Sequence, residues 1–108
     1  MTFKTLFKEL KSIGLPIAYS HFSEGDVPVL PYVVYLDDGS NNDFADDKVN
    51  KKIKKIKVEL YSQKKDLASE LKIENKLDLM GITYEDDEEF IKDENMFMKT
   101  YYFEITYE

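Results

Sequence analysis

An α+β fold, with two helices and about four to five strands in the order α-β-β-β-α-β-β, follows from three features of this sequence. Apolar residues recur at helical spacing in two stretches, and elsewhere they alternate one by one. Gly, Pro and Asp-rich breaks separate these stretches. The third feature is size: 108 residues, 43% of them hydrophobic, suit one domain over residues 1–108 that buries roughly two thirds of its unfolded surface.

Thr2 can N-cap a helix in which Phe3, Leu6, Phe7, Leu10 and Ile13 share one face, with Gly14 and Pro16 ending it. Lys4, Lys8 and Lys11 give that helix a solvated side. From Ile17 to Phe22 a short strand is expected. Pro28 and Pro31 then make SEGDVPVLP a wandering connection. The run YVVYL, Tyr32 to Leu36, is a strand expected to pair with Val49 to Tyr61. Between them DDGSNNDFADD lacks the acid, Gly and Glu spacing of a calcium loop, so a long exposed connection is expected there.

The run KVNKKIKKIKVELYS, Lys48 to Ser62, is read as the central strand. Ile56, Val58 and Leu60 supply its inner face, and Lys55, Lys57, Glu59 and Tyr61 its wet one. Ile53 and Ile56, three apart, cannot share a strand face, so a bulge near Lys54 and Lys55, or pairing that starts there, is expected. Asp66 can cap a second helix that Gly81 closes. Ile73, Leu77 and Met80 form one face of it, and Leu67 and Leu71 lie well away, so the helix either bends or buries two sides. Glu85 to Glu89 read as the exposed end of a strand or a loop. A turn at Asp93 to Asn95 leads to the last strand, Met96 to Tyr107, which carries large side chains on both faces.

Composition narrows the function. There is no Cys and one His, His21, with no partner nucleophile nearby, so disulfides, thiolate chemistry and a transition-metal site are not expected. None of the four Gly stands in a phosphate-loop spacing, and a carboxylate pair among twenty-two acids carries no weight. No catalytic, cofactor or metal residue is assigned, and the chain reads as a non-enzyme. No window is long and apolar enough for a membrane span, and the charged N-terminal stretch does not read as a signal peptide.

Charge is sorted into blocks. Six Lys (48, 51, 52, 54, 55 and 57) fall within ten residues, while Asp37 to Asp47 and Glu85 to Glu94 are acidic and the net charge is −7. The Lys run has three readings: a solvated face that blocks edge pairing, a subunit contact, or a phosphate-binding stripe. Against the last stand the acidic balance and the absence of Arg for base readout.

Over nearly the whole chain, LPIAYSHFSEGDVPVLPYVVYL, then SNNDFADDKV, IKVELYS followed by KKD, and the closing MFMKTYYFEITYE resemble the tail terminator or head-tail joining (tail-completion) proteins of siphophages and prophages of Gram-positive bacteria. Asp47 departs from the Gly that relatives tend to carry, so no loop conformation is transferred. The resemblance implies a mostly antiparallel sheet with the helices packed on it. It implies a non-enzymatic structural virion protein without cofactors, assembled as a ring, usually a hexamer, that caps the tail tube and meets the head connector. Its partners would be itself, the tail tube protein and the connector, with DNA passing through the lumen without specific binding. The protein would act in the host cytoplasm during assembly and then at the head-tail junction of the virion.

On that view a ring closes by heterologous contacts, and oppositely charged blocks can meet across it. Lys51, Lys52, Lys55 and Lys57 are the candidate basic contact, and Asp46, Asp47, Glu88 and Glu89 the acidic one. Phe44 is the apolar residue whose exposure points to a partner pocket. The alternatives are another connector component, or a small acidic protein that binds a host protein by mimicking nucleic acid.

Overall fold

The computed structural model describes residues 1–45 and 48–107. Helix α1 (Phe3–Lys11) begins where Thr2 accepts the Thr5 N–H at 3.1 Å and sends Leu6 and Leu10 into the core. Strand β1 (Ile17–Tyr19) is shorter than the expected Ile17 to Phe22. Ser20 takes a φ of 68° and the His21 N–H turns back onto the Tyr19 carbonyl at 2.7 Å, which stops pairing.

Strand β2 (Tyr32–Ser40) continues four residues past the expected end. The chain then forms a separate two-stranded hairpin, β3 (Asp43–Ala45) with β4 (Lys48–Lys51), before β5 (Ile53–Ser62) re-enters the sheet. The expected exposed connection is therefore a projecting β arm. The expected single strand over Lys48 to Ser62 is divided at Lys52, because β2 and β5 stop bonding to each other where Asn41 and Asn42 clamp Ile53. Asn41 donates its N–H to the Ile53 carbonyl at 2.9 Å, and Asn42 Oδ1 accepts the Ile53 N–H at 3.0 Å.

The register irregularity lies opposite the predicted place. Asp37 pairs with Ile56 and Ser40 with Lys54, so the extra residue sits on β2 near Gly39, whose φ of 104° suits glycine. Strand β5 itself stays regular. Ile53 and Ile56 then face opposite sides of the sheet, which resolves their three-residue spacing.

Helix α2 (Leu67–Leu79) follows, capped by Asp66, whose carboxylate accepts the Ser69 N–H at 3.0 Å and the Ser69 hydroxyl at 2.8 Å. At its end the Ile82 N–H reaches the Leu77 carbonyl and the Gly81 N–H reaches Asp78, with Gly81 at φ 71°, the glycine-closed C-terminal motif. The helix does not bury two sides. Ile73 and Leu77 are buried, while Leu67, Leu71 and Leu79 stand in solvent, at 63%, 53% and 81% exposure. Strand β6 (Glu85–Ile91), a 3₁₀ turn ending at left-handed Asn95, and β7 (Met96–Thr106) complete the chain.

The sheet order is β1-β2-β5-β7-β6, with β1 parallel to β2 and every other pair antiparallel. Strand β5 is central, as the alternation of Ile56, Val58 and Leu60 predicts. Those three pack with Val33 and Tyr35 of β2, Tyr101, Phe103 and Ile105 of β7, and the buried residues of both helices. Within each strand these residues alternate, and the register sets Val33 and Tyr35 beside Leu60 and Val58, and Tyr101 and Phe103 beside Val58 and Ile56, so all of them lie on one face and both helices cover it. Among the described residues no helix lies on the other face. The radius of gyration is 14.9 Å, against about 13 Å for a compact domain of this length, and the extents are 50 × 28 × 23 Å.

Candidate interaction surface

The uncovered face is built by the alternate residues of the same strands. Cross-strand register gives the row Leu36, Lys57, Tyr102 and Glu85, then Val34, Glu59, Thr100 and Asp87, then Tyr32, Tyr61, Met98 and Glu89. Its centre is tightly closed by neighbouring side chains. Val34 is 4% and Thr100 1% exposed, and the Thr100 hydroxyl finds no partner among the described residues. Lys57 pairs with Glu59 at 3.7 Å, and Glu59 accepts the Tyr61 hydroxyl at 2.9 Å. Burial, then the hydrogen bond to Glu59, pushes the Tyr61 hydroxyl well above its ordinary value, so it remains a donor at physiological pH. Tyr32 stacks on Tyr61 at 5.3 Å and meets Phe22 edge-on at 5.3 Å, where the loop after β1 folds over this face. A small cleft of about 230 Å³ lies there, between His21, Val27, Ile91 and Met96.

The acidic strand divides its charges between the two faces. Glu85, Asp87 and Glu89 share the open face with Tyr102, Thr100 and Met98. Asp86 and Glu88 lie on the helix side, where they join a charge network. Lys65 bonds Glu70 and Glu88, each at 2.8 Å, and Lys99 approaches Asp86 at 3.6 Å and Glu70 at 3.9 Å. Glu70 is 5% exposed, so its carboxylate is tolerable only because these ammonium groups surround it. Its hydrogen bond to Lys65, followed by that of Glu88, raises the Lys65 ammonium above its usual range. Beside this network the buried Tyr101 hydroxyl donates to Glu74 at 2.7 Å.

The predicted contact residues therefore separate. Lys51 and Lys52 are exposed at the base of the arm, and Lys55 is exposed on the open face directly across from Glu104. Lys57 is engaged by Glu59, and Glu88 by Lys65. Glu89 is exposed on the open face. The Phe44 backbone pairs with Val49 in the arm, and its side chain, with Asp46 and Asp47, lies outside the described residues. Lys54, part of the same sequence run, turns to the helix face and pairs with Asp37 at 3.6 Å. The contiguous basic stripe of the sequence is thus three groups: arm base, open face and helix face.

Sequence reading missed Glu70, Lys65 and Lys99, because a buried carboxylate on a helix looks like any surface Glu until the fold brings two lysines to it. It missed the Asn41 and Asn42 clamp as well. Two Asn after a Gly signal a break in a strand, and that signal was present.

The described part of this face carries Tyr, Thr, Met and charged side chains. Among the described residues no group of three or more His, Cys, Asp or Glu side chains is placed to hold a metal ion, and no helix is long and apolar enough to cross a membrane. What the arrangement offers is surface: a projecting basic strand, an acidic edge strand, and a mixed aromatic and charged sheet face. Comparison with known proteins finds no family model and no curated protein that matches this chain.

Proposed function

We propose that this protein is a structural component of a phage virion that assembles as a ring on the tail tube and joins tail to head. The reading starts from the whole-chain sequence resemblance described above. The observation that supports it is the placement of charge: the exposed Lys51 and Lys52 sit at the base of a projecting arm, and the acidic β6 forms the far edge of the sheet. A subunit with complementary groups on two different surfaces is suited to heterologous contact, which closes into a ring when the rotation allows. Its own partner would be a second copy, with the tube protein and the head connector below and above.

Electron microscopy of tails incubated with the purified protein tests the proposal. Tubes of uniform length capped by a ring are the expected result, and unchanged tubes would reject it. The five consecutive acids of β6 favour one other reading, a surface that imitates nucleic acid for a basic host protein. That reading predicts salt-sensitive binding to such a protein and none to tails.

A further inference from the structure

Strand β7 is longer than the neighbour on its outer side. Pairing with β6 ends at Tyr102 opposite Glu85, whereas pairing with β5 runs on to Thr106. The Tyr107 N–H bonds the Lys52 carbonyl at 2.8 Å, which fixes the phase of the ladder. Odd-numbered residues of β7 therefore direct their backbone groups at β5, and Tyr102, Glu104 and Thr106 direct theirs outward. The Thr106 carbonyl is taken by the amino group of Met1 at 2.8 Å. The Glu104 N–H and carbonyl and the Thr106 N–H have no backbone partner among the described residues. A concavity of about 800 Å³ spans this end of the sheet, reaching from Asp38 of β2 and Lys55 of β5 across the open stretch of β7 to Thr83, Tyr84 and Glu85.

An open strand edge beside a groove is a site for strand addition. Its charged lining is Asp38, Glu85 and Glu104 against one Lys55, which is net acidic. The molecule also carries an element in need of a third strand. Strands β3 and β4 form a two-stranded sheet outside the main one, and such a hairpin is marginal in water by itself. Strand β4 is four residues long, as is the open stretch Phe103 to Thr106, and its sequence KVNK continues into Lys52.

We infer that the open edge of β7, from Phe103 to Thr106, receives the basic β4 strand of a neighbouring copy's arm. The backbone groups supply the pairing, and Glu85 and Glu104 supply the charge that selects a Lys-rich strand over the acidic β6 edge. This rests on the ring reading only for its setting, since the pairing itself needs nothing but a second copy.

The chain has no Cys, so introduced ones report cleanly. Concentrated Lys51→Cys protein mixed with Thr106→Cys protein under mild oxidation should give a two-chain disulfide product at least fivefold above either variant alone. Adding Thr106→Pro to the experiment isolates the backbone. Proline there removes an outward N–H and leaves the β5 ladder intact, so the self-association expected of the wild type in sedimentation runs should fall at least fivefold in this variant. Mixed cross-linking no higher than in the separate variants, with each variant folded by circular dichroism, would overturn the inference. Cross-linking without tail capping would reject the ring reading alone, and capping without cross-linking would reject the strand exchange alone.

Discussion

At the level of single residues, Asp66 shows how one side chain ties local structure to solution conditions. The Ser69 N–H, then the Ser69 hydroxyl, hold its carboxyl below the ordinary value of 3.8. A group whose pKa is lowered by folding adds stability when ionised, so its contribution is complete above the ordinary value and is lost as the pH falls through the depressed one. Asp66→Ala should cost about 1 kcal/mol at neutral pH. Asp66→Asn keeps a capping oxygen and should lose only the acid-sensitive part. Denaturant titrations between pH 2 and 7 should show the wild type and the Asn variant converging at the acid end.

For α2 as an element, the structure assigns very different weights to residues of the same type. Ile73→Ala should cost about 2–5 kcal/mol, since its side chain is fully buried between sheet and helix. Leu71→Ala, two residues earlier and half exposed, should shift stability by no more than about 0.5 kcal/mol. Thermal unfolding of the two variants compares them directly. The helix and its caps were legible in the sequence, because Asp66 and Gly81 act through the backbone nearest them. Which apolar residues it buries was not, because Leu67, Leu71 and Leu79 look the same as Ile73 until a sheet is placed on one side. The strands were legible for the same local reason. The arm was not, because Asn41, Asn42 and Gly39 signal a break without saying that pairing resumes beyond it. The candidate contact residues were legible as charge blocks only, since alternation sends Lys54 and Lys55, or Glu88 and Glu89, to opposite faces.

The whole molecule joins these pieces through a sheet covered on one side. Lys55 and Lys57 lie on the uncovered side, where Lys57 already has Glu59 as a partner at 3.7 Å and Lys55 faces Glu104 across the strands. If these lysines contribute to subunit contact, Lys55→Glu/Lys57→Glu should abolish ring formation and tail completion. The double reversal also sets like charges side by side within the chain, a loss of about 1 kcal/mol. Lys55→Gln/Lys57→Gln, which avoids that repulsion, should stay within about 0.5 kcal/mol of wild type and still weaken assembly. Normal head-tail joining by both variants would leave the two lysines as a solvated face.

The covered side has a kinetic meaning as well. Tyr101, Phe103 and Ile105 of the last strand are core residues, and Phe3 of the first helix packs on Tyr107 at 5.5 Å. The central pair β5 and β7 is separated in the chain by an entire helix and another strand, so closing it costs loop entropy before any packing is gained. During synthesis, the first helix has no completed core to pack on until residues beyond 100 have left the ribosome. A chain built this way completes its core only with its last strand, and the open edge of β7 forms in that same step.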